Sequence, residues 1–489
     1  MYVLRRTIAL AVAVVLLMAP TASAITANNV ERVSVAAGKF NGDPDGESSR
    51  ALLSGDGRYT VFHSEADNLV TGDGRVKGVA WTDLFWVNNT THETVMVGRQ
   101  GNVFPDNQST FPAINGDGCA VAFQSQASNL VPGVQDVSSP DVFRQVMCAS
   151  PGLPPVGTIE RVSAKDNGAD SPGQSTRPSI SDDGRWVAFN TTAPLAAGDS
   201  GTSMDVYVRD MSKAPGEAGW MTWVTAAPKE ATGEDSIRAI ISGDGEYVTF
   251  VSDLSTLVAG DTNNNRDVFR WHRQTQTIAR ASVTATGAQN NMGSTRPWID
   301  GDGDTVVFQT VGQLTPEDTN ATDDVFAATF SGPSDLTPTV RRVSLRPGGV
   351  STTGASTRIQ ISGDGRWAAF ASNDPRLVTG DRNRQRDVFR ADLSATPPAI
   401  TRVSQNLNAP PDGDDTNCPD GTSTASSTAS SSTGSQDSGF VIMARPGAPE
   451  LSTRPDLSND GSVVMFVSGS CNLVPGDNNH LDDIFIRRH

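Results

Sequence analysis

A short phrase built around Asp-Gly occurs seven times in this chain and limits the possible folds more than any other feature. An Asp-Gly pair between two alternating apolar stretches is a strong hairpin signal, because glycine adopts the positive φ that a tight turn needs. Each copy therefore predicts two antiparallel strands and the turn between them. The copies are SGDGRYTVF (54–62), NGDGCAVAF (115–123), SDDGRWVAF (181–189), SGDGEYVTF (242–250), DGDGDTVVF (300–308), SGDGRWAAF (362–370) and SNDGSVVMF (458–466).

A third strand that begins with aspartate follows each phrase after about 20 residues, and a fourth strand follows in six of the seven units. Four antiparallel strands form one blade of a β-propeller. We therefore predict an all-β, seven-bladed β-propeller of four-stranded antiparallel blades, with six or eight blades as the alternative count. The third strands begin at Asp83, Asp141, Asp205, Asp267, Asp324, Asp387 and Asp483.

The fourth strand of the seventh unit is expected from the other end of the chain. The seventh unit reaches His489 directly after its third strand, whereas Val30–Ser34 has the fourth-strand pattern and precedes the first complete unit. Pairing this N-terminal strand with the last blade closes the ring and removes the exposed edges that an open sheet would have.

The N-terminus has the pattern of a secretory signal. Arg5 and Arg6 precede an apolar run, and Ala22-Ser23-Ala24 fits a cleavage site. We expect a signal peptide at 1–24 and a single propeller domain at 25–489, secreted or held in the periplasm or cell envelope; an uncleaved anchor is the alternative. A Ser/Thr-rich insert at about 409–450 has a composition that cannot form a core, and we expect it to be disordered.

The net charge of −17 argues against electrostatic binding to nucleic acid or anionic lipid, because both require Lys and Arg to meet phosphate groups. After signal cleavage we expect no membrane insertion, and we expect a monomer. Its partner would be a protein or a glycan, and no motif requires a cofactor.

Four cysteines in an exported chain can form disulfides. Cys119 and Cys148 flank two consecutive strands of one predicted blade, so they should lie nearly opposite each other. This pairing would leave Cys418 for Cys471, a bond that would restrain the insert; free buried thiols are the alternative.

These residues resemble the TolB-like, WD-like propeller repeat, which combines Ser-x-Asp-Gly, an apolar strand ending in Phe and a later Asp-Val-Phe. The resemblance covers nearly the whole mature chain and implies a propeller, but proteins with this fold have several activities. In TolB an α/β domain precedes the propeller, and in related oligopeptidases a hydrolase domain accompanies it. We expect neither domain beside the seven repeats.

Two aspartates six residues apart recur in the loops before the third strands, and in four blades an asparagine lies two residues after the first. Alternating carboxylate and amide oxygens are ligands that Ca²⁺ accepts. The alternative is that each side chain closes a local turn. The pairs include Asp199 with Asp205 and Asp318 with Asp324, and the proposed calcium ligands are Asp261, Asn263, Asp267, Asp381, Asn383, Asp387, Asp477, Asn479 and Asp483.

An arginine opens the innermost strand in six blades, and Phe111 takes this position in the remaining one. Convergent guanidinium groups at the mouth of the central channel could bind an anionic ligand. The alternative is that each arginine bridges to the repeated aspartate before a third strand, because a residue repeated in every blade more naturally serves the repeated architecture. The arginines are Arg50, Arg177, Arg238, Arg296, Arg358 and Arg454.

Three functions remain open from the sequence. The main prediction is a non-enzymatic binding or scaffold propeller that engages a protein or glycan through its long-loop face, since no catalytic constellation is evident. The alternatives are a carbohydrate-active lyase or hydrolase and a calcium-stabilised structural propeller. A unique site should break the sevenfold repeat.

Overall fold

The structure is a computed structural model, and the residues that it describes are 30–38, 42–71, 81–133, 139–165, 167–169, 172–199, 203–226, 235–381, 385–405, 452–470, 473–475, 477, 479 and 481–489. The predicted signal peptide, the insert, Asn383, Cys418 and Cys471 lie outside these residues. Within them, no helix is long and apolar enough to cross a membrane.

The described residues form thirty strands, numbered here in chain order. The first thirteen are β1 (Val30–Arg32), β2 (Ser48–Leu53), β3 (Tyr59–Ser64), β4 (Asp83–Asn88), β5 (Thr94–Met96), β6 (Ser109–Ile114), β7 (Ala120–Ser125), β8 (Asp141–Val146), β9 (Ile159–Arg161), β10 (Ser175–Ile180), β11 (Trp186–Thr191), β12 (Asp205–Asp210) and β13 (Met221–Trp223). The next ten are β14 (Ser236–Ile241), β15 (Tyr247–Ser252), β16 (Asp267–His272), β17 (Ile278–Arg280), β18 (Ser294–Ile299), β19 (Thr305–Thr310), β20 (Asp324–Thr329), β21 (Thr339–Arg342), β22 (Leu345–Arg346) and β23 (Val350–Ser351). The last seven are β24 (Ser356–Ile361), β25 (Trp367–Ser372), β26 (Asp387–Asp392), β27 (Ala399–Arg402), β28 (Ser452–Leu457), β29 (Val463–Ser468) and β30 (Asp483–Arg488).

These strands form seven four-stranded antiparallel sheets, so the predicted seven-bladed propeller is confirmed. Blades 1 to 6 are built from consecutive strands, β2 to β5 through β24 to β27, and β22 with β23 forms a small additional hairpin. Blade 7 has the order β1-β30-β29-β28, with Val30 opposite Arg487 and Arg32 opposite Phe485. The N-terminal strand therefore closes the ring as expected.

The repeated aromatic residues form the core between blades. In every blade the aromatic ring of the second strand packs on that of the third, with ring centroids between 5.7 and 6.2 Å apart. All fourteen side chains are buried. These rings fill the space between neighbouring sheets. This packing role explains why every repeat keeps its two aromatic residues and why these fourteen side chains do not line the channel.

The Asp-Gly turns have the conformation that the sequence predicts. The glycines of the seven turns have φ between 64° and 76°, which places the backbone in the left-handed region. These short turns lie on one face of the propeller, and the longer connections lie on the other. On the turn face of blade 2, a disulfide joins Cys119, directly before β7, to Cys148, just after β8, with their Cα atoms 4.6 Å apart.

Candidate functional site: the central channel

The innermost strands of the seven blades surround a central channel that contains a cavity of about 310 Å³. In each of these six-residue strands the third residue is half-buried and the fourth is buried, and the third and fifth residues both line the cavity. The alternation is visible in β2, where Arg50 and Leu52 are half-buried while Ala51 and Leu53 are buried. The channel therefore has two levels of side chains, followed by the Asp-Gly turns.

The level nearest the long-loop face consists of Arg50, Arg177, Arg238, Arg296, Arg358 and Arg454, here called the arginine ring, with Phe111 in the seventh position. Each of these seven residues has φ between 49° and 58°. Each also lies where the register between the first and second strands shifts, which marks a β-bulge. The bulge turns the guanidinium-bearing side chain towards the channel.

A left-handed conformation is costly for a residue with a Cβ atom, by about 1–2 kcal/mol, and glycine would avoid this cost. All six positions nevertheless carry arginine. Because side chains held in such conformations cluster at functional sites, the backbone supports a role for the arginine side chains themselves.

Three amide side chains hold the bulges from the preceding blade. Gln124 Oε1 accepts a hydrogen bond from the backbone N–H of Arg177 at 3.1 Å. Asn190 Oδ1 accepts one from Arg238 at 3.0 Å, and Gln309 Oε1 accepts one from Arg358 at 2.9 Å. These contacts satisfy backbone donors that the bulge removes from the strand ladder, and they link neighbouring blades at the channel mouth.

Phe111 breaks the arginine ring but remains part of it. The guanidinium groups of Arg50 and Arg177 lie over its ring, 4.1 and 4.3 Å from the centroid. Nearby, His63 shares a 2.6 Å hydrogen bond with Ser49 Oγ. Burial, followed by the positive charges of Arg50 and Arg454, lowers the pKa of His63 to about 3. His63 is therefore neutral at pH 7.

The opposite end of the channel is closed by the residue before each Asp-Gly pair. These residues, called the turn ring, are Gly55, Gly116, Asp182, Gly243, Gly301, Gly363 and Asn459. Backbone hydrogen bonds of 2.6 to 3.2 Å join each turn to the next around the complete circle. A Cβ atom on Gly301 would lie 2.7 Å from the Gly363 carbonyl oxygen, so the ring leaves no room for a side chain there.

The two side chains in the turn ring meet across the channel. Asn459 Nδ2 donates to Asp182 Oδ2 at 2.9 Å, and these residues come from blades 7 and 3, on opposite sides of the propeller. The channel is therefore a funnel that opens at the arginine ring and is crossed by a hydrogen bond at the turn ring.

Between the two rings lies an inner level in which all seven blades differ. It consists of Leu52, Ala113, Ser179, Ile240, Trp298, Gln360 and Asp456. This level is the break in the repeat that a unique site requires, and sequence analysis missed it. The variable residues lie two positions after each arginine of the ring and are visible in the sequence. A position that varies between repeats, however, looks the same in the sequence as a position under no structural constraint.

Asp456 is the one acidic residue of the inner level. Its Oδ2 atom accepts a 2.6 Å hydrogen bond from the backbone N–H of Leu53 in blade 1. Burial raises the pKa of Asp456 to about 7, although hydrogen bonds from Leu53 and Leu457 oppose this shift. In blade 3, Ser179 Oγ accepts a comparable bond of 2.9 Å from Ile241 N–H.

The repeated aspartates before the third strands contact arginines of the fourth strand. Arg32 lies 3.3 Å from Asp477 and 3.2 Å from Asp483. The same arrangement joins Arg280 to Asp261 and Asp267, Arg342 to Asp318 and Asp324, and Arg402 to Asp381 and Asp387. In each of these four blades a guanidinium group contacts both members of the aspartate pair that sequence analysis considered for calcium.

The asparagines in these loops also make local contacts. Asn263 Nδ2 donates to Asp267 at 3.0 Å, and Asn479 Nδ2 donates to Asp483 at 3.3 Å. An amide that turns its nitrogen to the carboxylate favours the turn-closing interpretation. Among the described residues, no group of three or more His, Cys, Asp or Glu side chains is placed to hold a metal. Calcium binding stays a prediction.

Comparisons with known proteins give structural likeness and no family. No protein-family model and no curated protein matches the chain. Similar solved structures include an oligogalacturonate lyase in complex with manganese, with 11% identity and a TM-score of 0.48, covering 94% of this chain and 92% of that one. TolB from Acinetobacter baumannii matches with 14% identity and a TM-score of 0.36, covering 74% and 64%.

A structure from a study of two prolyl endopeptidases matches with 14% identity and a TM-score of 0.43, and covers 73% of this chain. The present chain spans only 42% of the length of that protein. Likeness at this level carries no argument about activity. The channel itself is therefore the basis for a functional assignment.

Proposed function

We propose that this protein is a non-enzymatic binding propeller that captures an anionic group of a glycan or protein partner at the arginine ring. The observation that carries the proposal is the placement of six arginines, each in a left-handed conformation, around the open end of a funnel. Guanidinium groups form paired, charge-assisted hydrogen bonds with carboxylate, sulfate and phosphate. A ring of them selects ligands that present such a group.

The net charge of the chain sharpens this selectivity. Because the protein carries −17 overall, its net charge opposes the approach of anions, and the arginine ring concentrates positive charge in one place. A partner that carries a single anionic group on a narrow end would enter the funnel, whereas a broad polyanion would be repelled by the net charge. The net charge therefore favours a small, discrete anionic ligand over nucleic acid.

We further propose that binding takes place outside the cytoplasm, at the cell envelope or in the medium. The basis is the sequence of residues 1–24, with its basic start, apolar run and Ala-Ser-Ala site. N-terminal sequencing of the exported protein should begin at Ile25. A mature chain that begins at Met1 would contradict cleavage.

Calorimetric titration with citrate, a small tricarboxylate, tests anion capture. We expect one citrate per chain and weaker binding as salt is added. The double variant Arg238→Asn and Arg296→Asn should bind at least tenfold more weakly, because it removes two guanidinium groups. Asparagine is suitable because it tolerates a left-handed backbone.

Arg366→Ala is the matched control. Arg366 lies beside the Asp-Gly turn of blade 6, where it pairs with Asp392 at 2.8 Å, so its loss changes the charge of the chain without touching the funnel. Citrate affinity should be unchanged in this variant. Equal affinity in the wild type and the double ring variant would overturn the proposal.

A further inference from the structure

The inner level is formed by seven different side chains at equivalent positions of seven repeats. In a symmetric scaffold, a position that serves only the architecture keeps one residue type, as the aromatic core does. The inner level instead presents a different chemical group from every blade. Whatever binds beyond the arginine ring therefore meets an asymmetric surface.

The aromatic residue and the two longest polar side chains of the inner level lie on one arc. Trp298, Gln360 and Asp456 come from the adjacent blades 5, 6 and 7. Gln360 Oε1 is buried and has no hydrogen-bond partner within the described parts of the chain. A buried acceptor without a donor costs about 1–3 kcal/mol, so a ligand that donates a hydrogen bond here would recover that energy.

The remaining arc, from blades 1 to 4, carries smaller and mainly apolar side chains. Leu52 and Ile240 are half-buried, whereas Ala113 and Ser179 are buried. The inner level thus has an aromatic residue next to two hydrogen-bond acceptors and opposite aliphatic side chains. This arrangement suits a ligand ring with apolar C–H faces and hydroxyl groups at its edge. A plain aliphatic chain would leave Gln360 unsatisfied, and a second anionic group would face Asp456.

The size of the funnel limits how much of a ligand can enter. A cavity of about 310 Å³ is at the lower end of the range for ligand pockets. The hydrogen bond between Asp182 and Asn459 crosses the far end. One sugar-sized ring can therefore enter, with its anionic substituent left at the arginine ring.

We propose that the inner level is a specificity subsite for a single hydroxylated sugar ring that bears a carboxylate, sulfate or phosphate substituent. The ring contacts Trp298 and donates hydroxyl hydrogen bonds to Gln360 and Asp456, while the substituent meets the arginine ring. This inference rests on the proposed anion-binding function and adds the ligand class to it.

Calorimetric titration of the intact protein with matched small molecules tests this subsite. The probes are glucuronate, glucose 6-sulfate and glucose 6-phosphate, with glucose as the uncharged ring, cyclohexanecarboxylate as the ring without hydroxyls and an N-acetylated, amidated Glu-Glu dipeptide as an acidic peptide. At least one anionic sugar should bind tenfold or more tightly than glucose, cyclohexanecarboxylate and the dipeptide. The order among the three sugars identifies the substituent.

Variants separate the two levels. Gln360→Leu and Trp298→Leu should each reduce the preference for the anionic sugar over cyclohexanecarboxylate at least fivefold and leave cyclohexanecarboxylate binding unchanged. Gln274→Leu is the matched control, because it makes the same change at an exposed position between β16 and β17, outside the funnel, and it should keep the wild-type preference. The wild-type comparison needs no variant, so it decides the inference even if a substitution prevents folding.

Two results would overturn the inference, and they differ from failure of the proposed function. If cyclohexanecarboxylate or the acidic dipeptide binds as tightly as every anionic sugar, the inner level does not select a hydroxylated ring, although anion capture stands. If citrate and all anionic probes fail to bind, the arginine ring itself is not an anion site and both proposals fail.

Discussion

At the level of single residues, the channel mouth combines a strained backbone with a charged side chain. Arginine occurs at six of seven bulge positions where glycine would fit the backbone more easily, and φ near 50° is common to all of them. The neighbouring amides Gln124, Asn190 and Gln309 stabilise three of these bulges. At each of these positions the backbone conformation affects the stability of the fold, whereas the guanidinium group supplies the charge.

Replacing Arg296 with glycine should cost less stability than replacing it with alanine. Both changes remove the guanidinium group, but only alanine keeps the unfavourable left-handed conformation, so Arg296→Gly should be about 0.5–1 kcal/mol more stable than Arg296→Ala. Urea unfolding of the two variants measures this difference. If alanine is the more stable substitution, as expected for the same pair of changes at Arg366, the strain argument fails.

The buried carboxyl group of Asp456 should make stability dependent on pH. Its pKa is raised from 3.8 to about 7 by burial, so the folded state holds a proton that the unfolded chain has lost between about pH 4 and pH 7. This difference reduces stability as pH rises through that range. Asp456→Asn removes the effect and keeps an acceptor for Leu53 N–H.

Relative to the wild type, Asp456→Asn should therefore gain about 2–4 kcal/mol between pH 4 and pH 8. Denaturant unfolding at both pH values provides the measurement. A stability difference that stays constant with pH would show that Asp456 does not keep its proton in the folded protein.

The conformation of the arginines could not be predicted from the sequence, although their positions could. A six-residue strand that contains Ser-Thr-Arg-Pro is compatible with a regular edge strand, because proline occurs in edge strands as well as at bulges. The sequence therefore does not distinguish the two. The bulge depends on the pairing between β2 and β3 and its equivalents. Only the folded sheet shows that the side chain points into the channel.

At the level of elements, each blade is a short antiparallel sheet whose inner edge lines the channel and whose outer strand is short. The disulfide between Cys119 and Cys148 connects β7 to the end of β8 in blade 2 and closes a loop with a sequence separation of 29. A bond of this span restricts the unfolded chain considerably. It supports a blade that also supplies Phe111.

The double variant Cys119→Ser and Cys148→Ser should lose about 3 kcal/mol of unfolding free energy relative to the oxidised wild type. Thermal or denaturant unfolding with and without reductant tests this value. Reductant should lower the unfolding free energy of the wild type by breaking this bond. The double variant lacks the bond and should show no such loss. Equal stability of the oxidised wild type and the variant would contradict the estimate.

The pairing of Cys119 with Cys148 followed from strand order, because the two residues flank adjacent strands. The strand order in the sequence did not identify which arginines contact the repeated aspartates. Both the first-strand and the fourth-strand arginines recur in most blades, and sequence spacing alone does not distinguish them. The structure shows that fourth-strand residues such as Arg32 and Arg342 contact the aspartates.

At the level of the whole molecule, the seven blades are joined in two circles. One is the backbone hydrogen-bond circle of the turn ring, and the other is the closed ring of neighbouring blades, in which the chain passes from β1, paired with β30 in blade 7, to β2 in blade 1. Repeat counting predicted the second circle. The contact between Asp182 and Asn459 was not predictable, because 277 residues separate the two positions and neither fits the glycine consensus.

Deleting residues 30–34 should lower the melting temperature sharply and promote self-association. The deletion removes the strand that covers β30 and leaves that edge open to pairing with another chain. It also removes Arg32, whose guanidinium group contacts Asp43, Asp477 and Asp483. Thermal unfolding and gel filtration report both effects.

Deleting residues 25–29 is the matched control, since these residues precede the strand. This shorter mature chain should melt like the wild type and elute as a monomer. If removal of 30–34 also leaves the melting temperature unchanged, the N-terminal strand does not close the propeller.

The most direct test of the arginine ring as an anion site is the anomalous scattering of selenate soaked into crystals of the protein. The strongest selenium peak should lie in the funnel, within hydrogen-bond distance of at least two of the six arginines. Peaks confined to the outer surface, for example beside Arg366, with none in the funnel would contradict it.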